Sequence, residues 1–420
     1  MGLRFLSLLV VTAASALPAQ TVWTVDDDGG ADFTLIQPAV DAASSGDVIL
    51  VRAGIYNEFT LAGKGVAILA DQDADVFVFA MAGSIKTTVR DIPAGEQAVL
   101  RGLVFQPPLD IDEEMLVIED NAGVVWLEEV RVLSIQPFPF FYFLGQNSNV
   151  AITNSERVVL VDSELLGAHG GQQGQGLEAG SMALLATNST VFAHGTRFVS
   201  GGTAVLGGPG RSAVDVRGGR LVLRDCTAQG AGGGAGGFFG MLPDPGNGGP
   251  GLTLSAGAEV WSIGTDLLGG PGGTRAFGGG MGMVGPPFVN QGGALNEDPD
   301  AEAAQLRASR VVRDDVIDDD VRLVLQTEPD SSAFLLVRLF SADPFFIGSL
   351  PGFSGVGAAP IALPAGVTDG QGQLSIEIGI PTLPPGLTTW NATAQMVVTT
   401  PTPRLELSNP SIFTIVDEQF

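Results

Sequence analysis

Glu164, His194, Arg197 and Arg224 are the residues of this chain that could do chemistry together: one carboxylate, one imidazole and two guanidinia, drawn from three neighbouring segments. A carboxylate or imidazole can accept a proton, and a guanidinium fork can hold an acidic group by two parallel hydrogen bonds. Such a set suits proton abstraction beside a carboxylate, or hydrolysis. Arg is a poor base, however, because its pKa resists lowering. No Asp cluster stands beside these residues at calcium spacing. Catalysis is therefore the second reading of this group.

Binding is the first. Trp126, Phe192 and Trp261 occupy equivalent places in successive segments, and aromatic faces stack on sugar rings. Five arginines, Arg197, Arg211, Arg217, Arg220 and Arg224, share a stretch whose only acid is Asp215. Their forks could hold the carboxylate or sulfate groups of a glycan. The glycan-binding candidates are thus Trp126, Phe192, Trp261, Arg211, Arg217 and Arg220. The competing account covers the aromatics with loops and pairs the arginines with Asp162, Glu164, Asp215 and Asp225.

No metal or cofactor is expected. Cys226 is the single cysteine and His169 and His194 the only histidines, so neither a disulfide nor a zinc cluster can form. Cys226 should pack inside, and His194 is its only candidate base. Asp26–Asp28, Asp110–Glu114 and Asp314–Asp320 could bind calcium loosely, but lack the EF-hand pattern and are better read as solvated surface. No glycine run fits a P-loop.

The chain has 420 residues, 46 acids against 20 Lys+Arg, and a formal charge of -26. So acidic a surface repels nucleic acid and anionic membrane. Arg4 followed by the apolar run Phe5–Ala16 and small residues to Ala19 predicts a signal peptide over residues 1–20. No other stretch is long and apolar enough to insert in a bilayer. The expectation is a secreted or cell-surface protein.

These side chains must be positioned by repeats. Five segments, beginning at Met115, Val150, Ala183, Ala213 and Leu252, share one plan: apolar strand, turn, apolar strand, polar or small corner. With Glu129, Asp162, Gly195, Asp225 and Gly264 as equivalent corners, the repeat is roughly 30 to 40 residues, the mark of a solenoid. Two strands per repeat without a helical period make it a β-solenoid. Equivalent residues then form columns. Val125, Val158, Val191, Leu221 and Val260 should point inward, and Trp126, Val159, Phe192, Val222 and Trp261 outward. So should Glu128, Val161, His194, Arg224 and Ile263 and, beyond the corner, Arg131, Glu164, Arg197, Thr227 and Asp266. Glycine-rich runs after the corners read as lateral loops.

The segment Thr24–Asp71, with its "TLIQPAVDAASSGD" helix and "VRAGIYNEF" strand, resembles the opening of pectinesterases and related right-handed parallel β-helix, pectate-lyase-like proteins. That resemblance implies a helix plugging one end of the solenoid; the periodicity of the residues themselves puts Leu35, Ile36, Val40 and Ala43 on one helical stripe, after Asp32 or Thr34 as the N-cap. The resemblance does not carry over the esterase site. "EQAVLRG", Glu96–Gly102, faintly echoes one motif, and nothing matches the stretches that hold the catalytic carboxylates.

From about Asn296 charge rises, and strand-like runs separated by Pro and Gly predict a small antiparallel β-sandwich. Its end, Ser408–Phe413, is similar to C-terminal domains of exported proteins of some environmental bacteria, which implies surface retention or adhesion. The expected fold class is all-β: residues 21–295 a right-handed parallel β-helix with an N-terminal capping helix, residues 296–420 a β-sandwich. The expected role is non-catalytic, at the cell surface or outside it, with a polysaccharide or the cell envelope as partner and no nucleic acid. The alternative is a polysaccharide lyase or glycoside hydrolase acting on an acidic glycan.

Overall fold

The computed structural model describes residues 20–417 apart from 80–85, 107–113, 134–147, 170–171, 174–175, 178–179, 204–205, 237–243, 276–280, 299–304, 309–310, 315–319, 340–344, 347–352, 355–359, 380–388 and 402–403. The expected signal peptide, except Gln20, lies outside these residues. So does most of the acidic runs at 110–114 and 314–320.

The chain winds as a right-handed parallel β-helix with three faces. Each full coil runs through a strand on the first face, one on the second and one on the third. Val150, Leu184, Val214 and Leu252 share one rung position on the first face. The second face stacks Gln97–Arg101, Val124–Glu128, Arg157–Val161 and their successors as far as Ala294–Asp298. The third face is an eight-stranded parallel sheet from Gly54–Asn57 to Asp266–Leu268. The first two faces join into one sheet because Met182–His194 and Val214–Arg224 run unbroken around the corner between them.

Every column expected from the repeat is present in register. Trp126 pairs with Val159, Val159 with Phe192, Phe192 with Val222, and Val222 with Trp261. The inward columns are fully buried aliphatics, among them Val125, Val158, Val191, Leu221 and Val260. The chosen corners adopt the left-handed conformation in every case: Glu129, Asp162, Gly195, Asp225 and Gly264 have φ between 46° and 59°. Asx and Gly reach that region at least cost. Just inside the corner, hydroxyls and one thiol cap backbone carbonyls in sequence: Ser163 Oγ to Val161, Thr196 Oγ1 to His194, Cys226 Sγ to Arg224 and Thr265 Oγ1 to Ile263. Cys226 is one rung of this column.

Helix Ile36–Ala42 closes the first coil, burying Ile36, Ala39 and Val40 against the core. Two local expectations change. The N-cap position is Leu35 without a side-chain cap, because Asp32 instead accepts hydrogen bonds from the Thr24 backbone and hydroxyl. Leu35 itself is exposed, so Ala39 takes its place on the stripe. The helix C-terminus is satisfied by Lys64, whose ammonium donates to Ala43 O at 2.6 Å.

The glycine-rich runs do more than leave and return. Between the third face and the next coil they lie side by side, hydrogen-bonded outside any strand. One relay runs Gly285 N to Gly270 O, Gly270 N to Gly249 O, Gly249 N to Ala231 O and Ala231 N to Arg211 O, each bond 2.8 or 2.9 Å. At Gly270 the segments approach so closely that only glycine fits: a Cβ there would stand 1.9 Å from Ala231 O.

Beyond the solenoid, two sheets face each other. Gln305–Ala308, Asp320–Gln326 and Gln373–Gly379 form an antiparallel three-stranded sheet. The other has six strands, including Ser332–Leu339, Thr389–Thr399 and Ser411–Asp417. Leu306, Val321, Leu323 and Leu325 from the first meet Leu335, Ala394, Met396, Val398, Phe413 and Ile415 from the second in a separate core. This is the expected sandwich.

Candidate functional site

The corner between the first and second faces is also left-handed. Asp120, Asn154 and Asn188 occupy it at φ 55°, 47° and 48°. The next residues turn inward and bond from coil to coil: Asn121 Nδ2 donates to Ser155 Oγ at 3.1 Å, and the Ser155 amide donates to Ser189 Oγ at 3.0 Å. This buried polar ladder fixes the corner, and the side chains around it project outward at the coil spacing. They line an open groove of about 620 Å³ between Asn154, Glu156, Arg157, Asn188, Thr190 and Arg220, with Phe192 in its wall. Thr190 and Arg220 are paired neighbours, and Arg157 belongs to the coil before them.

Arg220 is held by Glu259 through Nε at 2.8 Å and Nη2 at 2.6 Å. Glu259 also accepts from the indole Nε1 of Trp261 at 2.9 Å. That indole bond and Arg220 keep the Glu259 carboxyl below the usual carboxylate range. Arg220, Glu259 and Trp261 are thus one assembly, which orients the guanidinium at the groove edge. Sequence reasoning named Arg220 and Trp261 but missed Asn154, Arg157, Asn188 and Glu259. The signal for the two asparagines was there, as Asx residues one coil apart before an inward serine.

The five arginines do not form a cluster. Arg197 projects from the third face and bonds Glu164 at 2.6 Å, with Arg131 at 3.5 Å on the other side of that carboxylate. Arg217, on the first face, is held by Asp215 at 2.7 Å. Arg211 gives its carbonyl to the glycine relay. Arg224 is buried on the second face, 3.4 Å from Asp225. The solenoid turns a local run in sequence into positions on different sides.

The same turning separates the four residues considered for catalysis. Glu164 and Arg197 pair on the third face, whereas His194 and Arg224 are buried on the second at 1% exposure each. His194 Nε2 lies 3.2 Å from Asp225 Oδ2, and burial holds its pKa below the usual histidine value. Cys226 is buried too, and burial pushes its thiol up to about 12. A reactive thiolate needs the opposite environment.

The outward aromatic row is covered. Trp126 is fully buried, Phe192 is 3% exposed, and Trp261 remains half-buried. They belong to an apolar stripe on the second face with Val99, Val159, Val161, Val222 and Ile263, which Ile412 of the C-terminal domain joins. The contacts nearby are polar. Glu128, 2% exposed, accepts from Ser411 Oγ at 2.7 Å and Ile412 N at 2.9 Å, and also from Trp126 Nε1 at 3.0 Å. Arg101 sits 3.3 Å from Glu128 and donates to Ile412 O. Burial pushes the Glu128 carboxyl up, while Arg101 and the two donors from the C-terminal domain pull it down. Asn409 Nδ2 reaches Asp162 at 3.2 Å, and Glu406 adds negative charge near Arg224. Over Trp126 and Glu128 the cover is thus the C-terminal domain. The Ser408–Phe413 motif noted in the sequence is where it docks.

At the capped end, Asp26, Asp27 and Asp28 place their carboxylates within 4.8 Å of one another. Asp26 pairs with Arg52, and Asp27 accepts from the Ile55 amide, which explains their convergence. Among the described residues no helix is long and apolar enough to cross a membrane.

No protein-family model matches the sequence, and no curated protein matches it. Among solved structures, the chain is similar to pectate lyase Pel9A at 12% identity, over 69% of this chain and 80% of that one, with a TM-score of 0.25. The enzymatically active domain of bacteriophage CBA120 tailspike protein 4 gives 12% identity, coverages of 88% and 64%, and a TM-score of 0.23. The catalytic domain of a GH87 α-1,3-glucanase in complex with tetrasaccharides gives 11%, 58% and 63%, and 0.13. At such scores it is the pairing of the strands, and not these likenesses, that defines the solenoid.

Proposed function

We propose that this is an exported protein that binds polysaccharide outside the cell or at its surface without cleaving it, through the groove on the corner between the first and second faces. The observation that carries the reading is the groove itself. Successive coils repeat every ~4.8 Å and present Asn154 and Asn188 along one line and Arg157, Thr190 and Arg220 along a parallel one. A linear polymer with its own repeat can follow such a line. Amide and hydroxyl groups suit sugar hydroxyls, and the guanidinia suit acidic substituents. Glu156 is the one carboxylate among the lining residues, whereas glycoside hydrolysis ordinarily uses a pair. The apolar leader supports export. Under this proposal residues 1–20 are removed, the binding solenoid runs from 21 through its last second-face strand, Ala294–Asp298, three residues past the boundary expected at 295, and the C-terminal domain follows.

A glycan array of neutral and acidic polymers, run beside a depolymerisation assay, tests this. Binding is expected without new reducing or unsaturated ends. The double variant Arg157→Ala/Arg220→Ala should weaken binding of the best ligand by about tenfold or more, since hydrogen bonds to charged groups contribute ~1.5–3 kcal/mol each. Arg217→Ala, outside the groove, should leave it unchanged. New chain ends, or equal binding by the double variant, would overturn the proposal.

A further inference from the structure

Phe192 has two neighbourhoods. It lies in the wall of the open groove and also in the covered stripe, between Val159 and Val222. Trp261, at the far end of the row, is half-buried. Trp126, at the near end, is sealed in. The three rings stand every second coil, about 9.6 Å apart at ~4.8 Å per coil, the order of length of a disaccharide. Valines lie between them, so the row itself carries no charge. Such a strip matches the flat apolar faces of pyranose rings.

We infer that the row Trp126, Val159, Phe192, Val222 and Trp261 is a continuation of the groove's glycan-binding surface, and that the C-terminal domain is a separable cover over its inner half. This rests on the groove being a glycan site. Among the described residues, a single apolar side chain of the cover, Ile412, enters the stripe. Around Ile412 the contacts are polar, with Asn409, Ser411 and the Ile412 backbone bonding Asp162, Glu128 and Arg101, and beside them Asn391 and Thr393 face Ser45, Gly65 and Glu96 across a cleft. Glu128 is the clamp, since one carboxylate holds both Trp126 of the row and Ser411 and Ile412 of the cover. A glycan seated in the groove meets Phe192 first. It can extend along the row only as the cover lifts, so its apparent affinity is reduced by the fraction of molecules that are open.

The test uses the full chain with Glu128→Gln, which keeps shape but removes the charge and turns an amide towards existing donors. Amide hydrogen exchange is followed in Asn409–Ile412, where the Ile412 amide donates to Glu128, and, as a core reference, in Leu184–Ala186 on the first face. Breaking one partner of a buried ion pair should raise the open fraction on the order of 100-fold. Exchange in Asn409–Ile412 should accelerate accordingly, with the reference unchanged. Affinity for cellohexaose should rise in the same variant, and less so in the milder Ser411→Ala. Unchanged exchange, loss of protection in the reference segment as well, or opening without a gain in cellohexaose binding would each overturn the inference. Failure of the groove reading is read separately: wild type and Arg157→Ala/Arg220→Ala then bind no glycan, whatever the exchange shows.

Discussion

Replacing Gly270 by Ala isolates what holds the glycine-rich layers together. The added Cβ would lie 1.9 Å from Ala231 O, against an ordinary contact of 3.4 Å or more, so one segment must retreat by about 1.5 Å. Its neighbours cannot absorb this. Gly270 N donates to Gly249 O and Gly270 O accepts from Gly285 N, both at 2.8 Å, and a retreat of that size breaks such bonds. Losing one or two buried backbone bonds, with the overpacking itself, costs about 3–5 kcal/mol. Reduced freedom of the unfolded chain returns under about 1 kcal/mol. Gly257→Ala is the matched control. It has nothing within 4 Å but a φ of 82°, so its cost is conformational alone, about 1–2 kcal/mol. Urea unfolding followed by circular dichroism should show a much lower midpoint for Gly270→Ala than for Gly257→Ala, at similar slope. If the two variants lose equal stability, the layers are spreading freely and close backbone approach is not why glycine is there.

Two further outcomes follow from buried titratable groups. Cys226, with its thiol pushed up to about 12, should resist iodoacetamide at pH 8 in the native protein and react fully in denaturant; native modification at the rate of a free thiol would contradict the packing described. His194 is held neutral by burial, beside Asp225 and Arg224, so the unfolded chain binds its proton first as pH falls. The stability it contributes is complete above about 6.5 and is lost progressively below that value. His194→Gln should flatten the fall in midpoint between pH 7 and 5; an unaltered slope would refute the assignment.

The solenoid was legible because its code is local. Corners alternate with inward aliphatics at a fixed count, and a left-handed corner accepts Asx and Gly most readily, so Asp162, Gly195, Asp225 and Gly264 announce themselves. Once those are aligned, every column follows, and Cys226 falls into its hydroxyl column beside Thr196 and Thr265. The helix cap was less legible. Asp32 has a cap's chemistry, but a partner in the preceding strand, Thr24, takes its carboxylate first. The glycine layers were legible as composition only, because the repeat gives no sign of which segment will lie against which.

The fate of the outward rows illustrates a different limit. Trp126, Glu128, His194 and Arg224 alternate with core positions as solvent-facing residues should, and the strand period says nothing about what lies across the sheet. A charged residue in such a row has two readings: solvent, or a partner. Arg101 and Glu128 are adjacent-coil neighbours of opposite sign, paired by register, amid valines and a tryptophan. On a wet surface those valines would be polar. An ion pair set in an apolar stripe, on the outer face of a solenoid, therefore already signals a docking surface. The partner is encoded some three hundred residues later, at Asn409 and Ser411, in hydrogen-bonding side chains that are themselves almost fully buried. Neither half is intelligible alone, because the charge of one is satisfied only by the donors of the other.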